Sequence, residues 1–122
     1  MGAVRKLLRR DASDSIDELS LWALSQGVSS LIIDLSAYEV CRVAGVVQKL
    51  LLDPLNGWVE VTLADGTAAI SARWTIRRPT PQLALAPGSG AVLTGATSIG
   101  PEGDVVFSEP DFVVVRTEAT GA

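Results

Sequence analysis

The sequence predicts a mainly β protein, in which five strands close into a small barrel behind a helical N-terminal extension. Three observations predict it. From Tyr38 onward apolar side chains recur at every second position in several short runs, the period of a half-buried strand. Proline, asparagine and glycine punctuate those runs at 53–57, 65–66 and 100–104, where turns are expected. The first run is long and carries Gly45 near its middle. A glycine there marks a bulge or sharp bend, and a bent strand can serve both sides of a closed barrel.

Taken in order, residues 1–27 read as helical. Val4, Leu7 and Leu8 have helical spacing, and Ser15 with Glu18 has the form of a capping box, in which each side chain accepts from the other's backbone N–H. Ile16, Leu19, Trp22 and Ala23 make an apolar stripe, and Gly27 suits a helix C-cap. A helix of about three turns is marginal alone, so it needs the barrel or a second copy of itself to pack on. Leu19 and Trp22 are the candidate partner or oligomer residues. Residues 28–37 fit either a short strand or a loop plugging an apolar surface.

The first barrel strand spans about 38–52, with Val40, Arg42, Ala44 and Val46 alternating against Cys41, Val43, Gly45 and Val47. In the second, 58–63, Val59, Val61 and Leu63 face one way, and Trp58, Glu60 and Thr62 the other. Asp65-Gly66 is a hairpin signal. The third, 67–75, sets Ala68, Ile70, Ala72 and Trp74 against Ala69, Ser71 and Arg73. Pro79, Pro81 and Pro87 break the pattern over 76–89, leaving room for one helical turn. The fourth strand is 90–99, and the fifth, 105–115, is interrupted at Pro110. The domain reading is therefore a helical extension and linker at 1–37, a barrel at 38–117, and a disordered tail at 118–122.

The chain has 122 residues, enough for one domain with an appendage. One cysteine, Cys41, allows no internal disulfide, and no apolar stretch follows the basic start. Both point to a cytoplasmic protein with no secretory signal and no membrane partner. The net charge of −4 and pI near 4.6 argue against a dedicated binder of duplex DNA. They leave room for a local basic patch.

The order of features, a long bent strand, a tight hairpin, a longer connection and two more strands, is that of the OB-type Greek-key barrel. An SH3-like barrel also has five strands but distributes its connections differently. Val40 to Val47, Val59 to Ile70 and Ala86 to Gly95 follow the general OB pattern. With Asp65-Gly66-Thr67, Trp74 and the pair Arg77-Arg78, the chain resembles small stand-alone OB-fold proteins of actinobacteria. It is similar too to the anticodon-binding OB domains of class II aminoacyl-tRNA synthetases. The resemblance implies nucleic-acid binding through fold analogy.

The residues themselves exclude much chemistry. There is no histidine, which removes histidine bases, Ser-His-Asp triads and the commonest metal ligand. Cys41 lies within a strand without an activating partner in the sequence. Gly88-Ser-Gly90 lacks the spacing and lysine of a phosphate loop. Asp65 serves the hairpin, and Glu102 and Asp104 sit on a turn. The expectation is no catalytic residues, no cofactor and no metal.

Binding remains, and two readings compete. In the first, single-stranded or structured nucleic acid, DNA or RNA, binds weakly on the outer face of the second and third barrel strands. Trp58 stacks on a base, Arg73, Arg77 and Arg78 meet phosphates, and Lys49 extends the patch. Glu60 on the same face opposes phosphate. In the second, the barrel is a platform and the N-terminal helix docks a protein or a second copy, with Trp58 able to dock the helix instead.

Overall fold

The computed structural model describes residues 5–6 and 12–115. Its elements are β1 (Arg5–Lys6), α1 (Ala12–Leu24), a 3-10 turn η1 (Ile32–Asp34), β2 (Val40–Asp53), β3 (Trp58–Ala64), β4 (Ala68–Thr75), a second 3-10 turn η2 (Pro81–Ala84), β5 (Gly90–Ile99), β6 (Val105–Ser108) and β7 (Asp111–Val115). The five predicted barrel strands are β2, β3, β4, β5 and the interrupted pair β6–β7.

These strands close on themselves. β2 pairs antiparallel with β3, and β3 with β4. β4 runs parallel to β6, β6 antiparallel to β5, and β5 returns antiparallel to β2. Third and fifth barrel strands therefore meet in parallel, which gives the OB order and excludes the SH3-like alternative. β2 does serve both sides: Val40 to Val46 pair with β5, and Val46 to Asp53 with β3. Gly45 lies where the partner changes. A Cβ built there would stand 2.3 Å from the Ala64 carbonyl oxygen, so the close approach of two backbones requires this glycine. The irregularity in register falls between Val47 and Lys49 instead.

The alternation read from the sequence matches the packing. Val59, Val61 and Leu63 point inward with Ala68, Ile70, Ala72 and Trp74. Trp74 is a core residue: its indole N–H donates to the Pro110 carbonyl at 2.7 Å, and its ring meets Phe112 edge-on at 5.7 Å. That partner satisfies the one polar atom a buried tryptophan carries. The interruption at Pro110 splits the last strand with a one-residue shift, from Thr97 opposite Phe107 to Thr94 opposite Asp111. Glu109 takes a φ of 51° there, and its carboxylate accepts from the Thr75 N–H and hydroxyl. Those bonds hold the Glu109 carboxyl below its ordinary range.

Three expectations change. α1 begins at Ala12, so Ser15 lies inside the helix and the capping box is not its start. Arg5 and Lys6 form an extended edge beside Ala69 and Ala68 rather than a helical turn. The remaining N-terminal residues of the predicted helix, and the predicted disordered tail, lie outside the described residues. The hairpin turn is centred one residue later than expected: the Asp65 N–H donates to the Ala68 carbonyl across Gly66 and Thr67. Asp65 is turned inward, for its carboxylate is buried and accepts from Ile32 N–H, Thr67 N–H and hydroxyl, and Ala68 N–H. The segment 28–37 is thus a plug. Ile32 and Leu35 enter the core at the hairpin end of the barrel, and Leu85, just after η2, enters it from the other connection.

Candidate nucleic-acid interface

The register builds the outer face of the sheet in rows. Asp53, Trp58 and Thr75 lie opposite one another across β2, β3 and β4. The next outward row is Leu51, Glu60 and Arg73, continued by Ser108 of β6. The third is Lys49, Thr62 and Ser71, continued by Val106. Lys49 reaches this row because of the shift after Val47, which returns its side chain to the outer face.

Trp58 and Arg73 are diagonal neighbours in this grid, within reach of long side chains. The Arg73 guanidinium carbon lies over the Trp58 ring, 3.9 Å from its centroid. This is a cation–π contact, worth about 0.5–1 kcal/mol at a half-exposed position. Arg73 Nη2 also stands 3.9 Å from Glu60 Oε1, too long for a hydrogen bond and, being largely solvated, of small energetic weight. The two contacts place the guanidinium between the tryptophan ring and Glu60.

The loop below Trp58 is fixed as well. Asn56 donates to Asp53 from its side-chain amide at 2.9 Å and from its backbone N–H at 3.1 Å. These bonds, with the Leu55 N–H and the Arg73 charge, hold the Asp53 carboxyl below its ordinary range. Beyond the end of β4, the Ile76 N–H donates to the Gly57 carbonyl, which ties the start of the next connection to this loop.

A groove of about 410 Å³ runs beside the arginine. Lys49, Glu60, Thr62, Ser71 and Arg73 form its floor, and Gly100, Pro101, Glu102 and Asp104 of the β5–β6 loop form its wall. Of the predicted binding residues, the fold brings Lys49 and Arg73 into this groove and sets Trp58 behind Arg73. Arg77 and Arg78 are exposed on the connection that follows β4, past the Trp58 row and outside the groove. Sequence reasoning missed Leu51, 43% exposed beside Glu60, and the loop wall. The sequence hides Leu51 because its register depends on an unsignalled bulge, and it marks the loop as a turn only.

α1 packs on β2, and Ser29 anchors the chain after it by exchanging hydrogen bonds with Arg42 on the first half of that strand. Trp58 pairs with Asp53 at the far end of β2. Leu19 and Trp22 are half-buried, while Leu21 and Leu24 of α1 are exposed.

Among the described residues no three histidine, cysteine, aspartate or glutamate side chains are grouped to hold a metal, and no helix is long and apolar enough to cross a membrane. Cys41 is buried, and burial, then the Glu39 charge, pushes its thiol up. A buried, protonated thiol is a poor nucleophile. Titration with a disulfide reagent at neutral pH is therefore expected to label Cys41 only after denaturation. Full labelling of the native protein within seconds would contradict this packing.

No family model and no curated protein matches the chain. Among solved structures, the fold is similar to that of Schizosaccharomyces pombe Pot1pC, determined bound to ssDNA (CGGTTACGGT), with a TM-score of 0.59 and 11% identity. The match covers 73% of this chain and 87% of that one. What the two share is the architecture: this chain is a mainly β, OB-type barrel with a helical N-terminal element.

Proposed function

We propose that the protein is a non-catalytic OB module that binds single-stranded nucleic acid, DNA or RNA, weakly, on the outer face of β3 and β4. The observation that carries this reading is the Arg73 guanidinium laid over the Trp58 ring at the edge of a polar groove. Arginine planes and aromatic faces both accept stacked bases. Here the arginine is the surface a base meets, with the tryptophan stiffening it from behind. Arg77 and Arg78, one step beyond, are placed for phosphates. The position of the groove, on the second and third barrel strands and under the loop between the fourth and fifth, is where OB barrels receive oligonucleotides. The fold likeness to an ssDNA-bound protein supports the same reading.

The net charge of −4 sets the strength: few phosphates can be neutralised, so affinity is low and falls with salt. Fluorescence anisotropy with labelled single strands at low and physiological salt tests it. Log affinity is expected to fall with log salt with a slope of about 0.7 per phosphate contacted. Arg73→Ala is expected to weaken binding by about tenfold or more, the usual value of one stacked base. Arg77→Glu with Arg78→Glu should flatten the salt slope. Absence of binding at low salt would overturn the proposal and leave α1, with Leu21 and Leu24 exposed, as the surface for a protein partner.

A further inference from the structure

The groove beside Arg73 has a charge pattern unsuited to a phosphate path. Lys49 and Arg73 face Glu60, Glu102 and Asp104. A backbone phosphate in that space would meet more like charge than opposite charge. The same carboxylates accept hydrogen bonds and donate none. The groove therefore suits the donor edge of a base, with the phosphates kept outside.

Glu60 is the central acceptor. It stands directly opposite Arg73 in the outer row, with Leu51 on its other side. Its one partner among the described residues is Arg73 at 3.9 Å, so both of its oxygens keep their acceptor capacity. A base stacked on the Arg73 guanidinium has an edge within reach of the Glu60 carboxylate, which stands 3.9 Å from that group. The bases differ at that edge. Guanine offers N1–H and N2–H side by side, matching both oxygens of one carboxylate. Cytosine and adenine offer one amino group beside a ring nitrogen whose lone pair opposes the carboxylate. Thymine and uracil flank their single N–H with two carbonyl oxygens.

We infer that Glu60 reads the Watson–Crick edge of guanine, and that the groove selects guanine over the other bases at the position stacked on Arg73. This rests on the binding proposed above for the same face. Glu102 and Asp104 serve it by excluding phosphate.

The test uses the full chain and labelled oligothymidylates of about seven nucleotides, with the central base replaced by guanine, hypoxanthine, adenine or cytosine, at low salt. Guanine is expected to bind about tenfold tighter than thymine, the discrimination of one good bidentate pair. Hypoxanthine, which lacks the 2-amino group, should fall between them. Glu60→Gln should bring guanine and thymine within about threefold of each other. If oligothymidylate binds but guanine gives no advantage, the inference fails and the binding reading stands. If Glu60→Gln keeps the preference, Glu60 is not the reader. If no oligonucleotide binds, both fall together.

Discussion

Replacing Gly45 with alanine is expected to destabilise the barrel by about 3 kcal/mol, the upper part of the range for overpacking a core. The added methyl would sit 2.3 Å from the Ala64 carbonyl oxygen and 2.8 Å from its carbon. Those are backbone atoms, and they cannot rotate away as a side-chain tip can. The strand also changes partners there, from Gly90 of β5 to Ala64 of β3, both opposite Val46. Relief by shifting one neighbour would break the other ladder. Thermal unfolding followed by circular dichroism should show a midpoint lowered by roughly 10–20 °C. Gly57→Ala is the contrast: nothing lies within 4 Å, but φ is +81°, so only backbone strain of about 1 kcal/mol opposes it. Equal effects of the two substitutions would sink the close-approach argument.

Asp65→Ala is expected to cost about 3 kcal/mol, because it strands buried donors rather than removing one neutral contact. One carboxylate oxygen accepts from the Thr67 N–H at 2.9 Å, the Thr67 hydroxyl and the Ala68 N–H; the other accepts from the Ile32 N–H at 2.8 Å. The carboxylate thus closes the hairpin and pins the plug to it. Asp65→Asn separates the two tasks. Its carbonyl oxygen can keep the hairpin bonds, while its amide would face the Ile32 N–H, donor against donor. Hydrogen exchange should then quicken at Ile32 and stay slow at Ala68. Faster exchange at both sites, or at neither, would contradict this division.

The strand pattern was legible because side-chain alternation is a local property. Val59, Val61 and Leu63, and Ile70, Ala72 and Trp74, declare an inward face without reference to any other part of the chain. The outward assignment of Trp58, Glu60, Arg73 and Ser71 follows from the same count. The helix start was misplaced because a capping-box spelling is short enough to occur inside a helix. The Arg5–Lys6 edge was missed because pairing with Ala68 and Ala69 depends on a strand more than sixty residues away.

The site shows the same division. The sequence singles out Trp58, Arg73 and Lys49 by residue type and register, with Trp58 as the stacking surface. Only the packed sheet shows Arg73 lying over that ring, since a diagonal contact depends on twist and rotamer as well as on order along the chain. Leu51 enters the outer face through the shift after Val47, and nothing in Gln48 announces it. Arg77 and Arg78 are near Arg73 in sequence, whereas the chain leaves the sheet at Thr75 and carries them past the groove.

The sequence by itself determined the number of barrel strands, their inward and outward faces, and the lack of histidine-based chemistry, because periodicity and composition are written locally. The tertiary structure alone decided how the barrel closes, where the plug of Ile32 and Leu35 sits, and that one arginine, one tryptophan and one glutamate share a corner of the outer face. Those are contacts between distant segments, fixed by the exclusion of overlapping backbones and by the need of buried polar groups for partners.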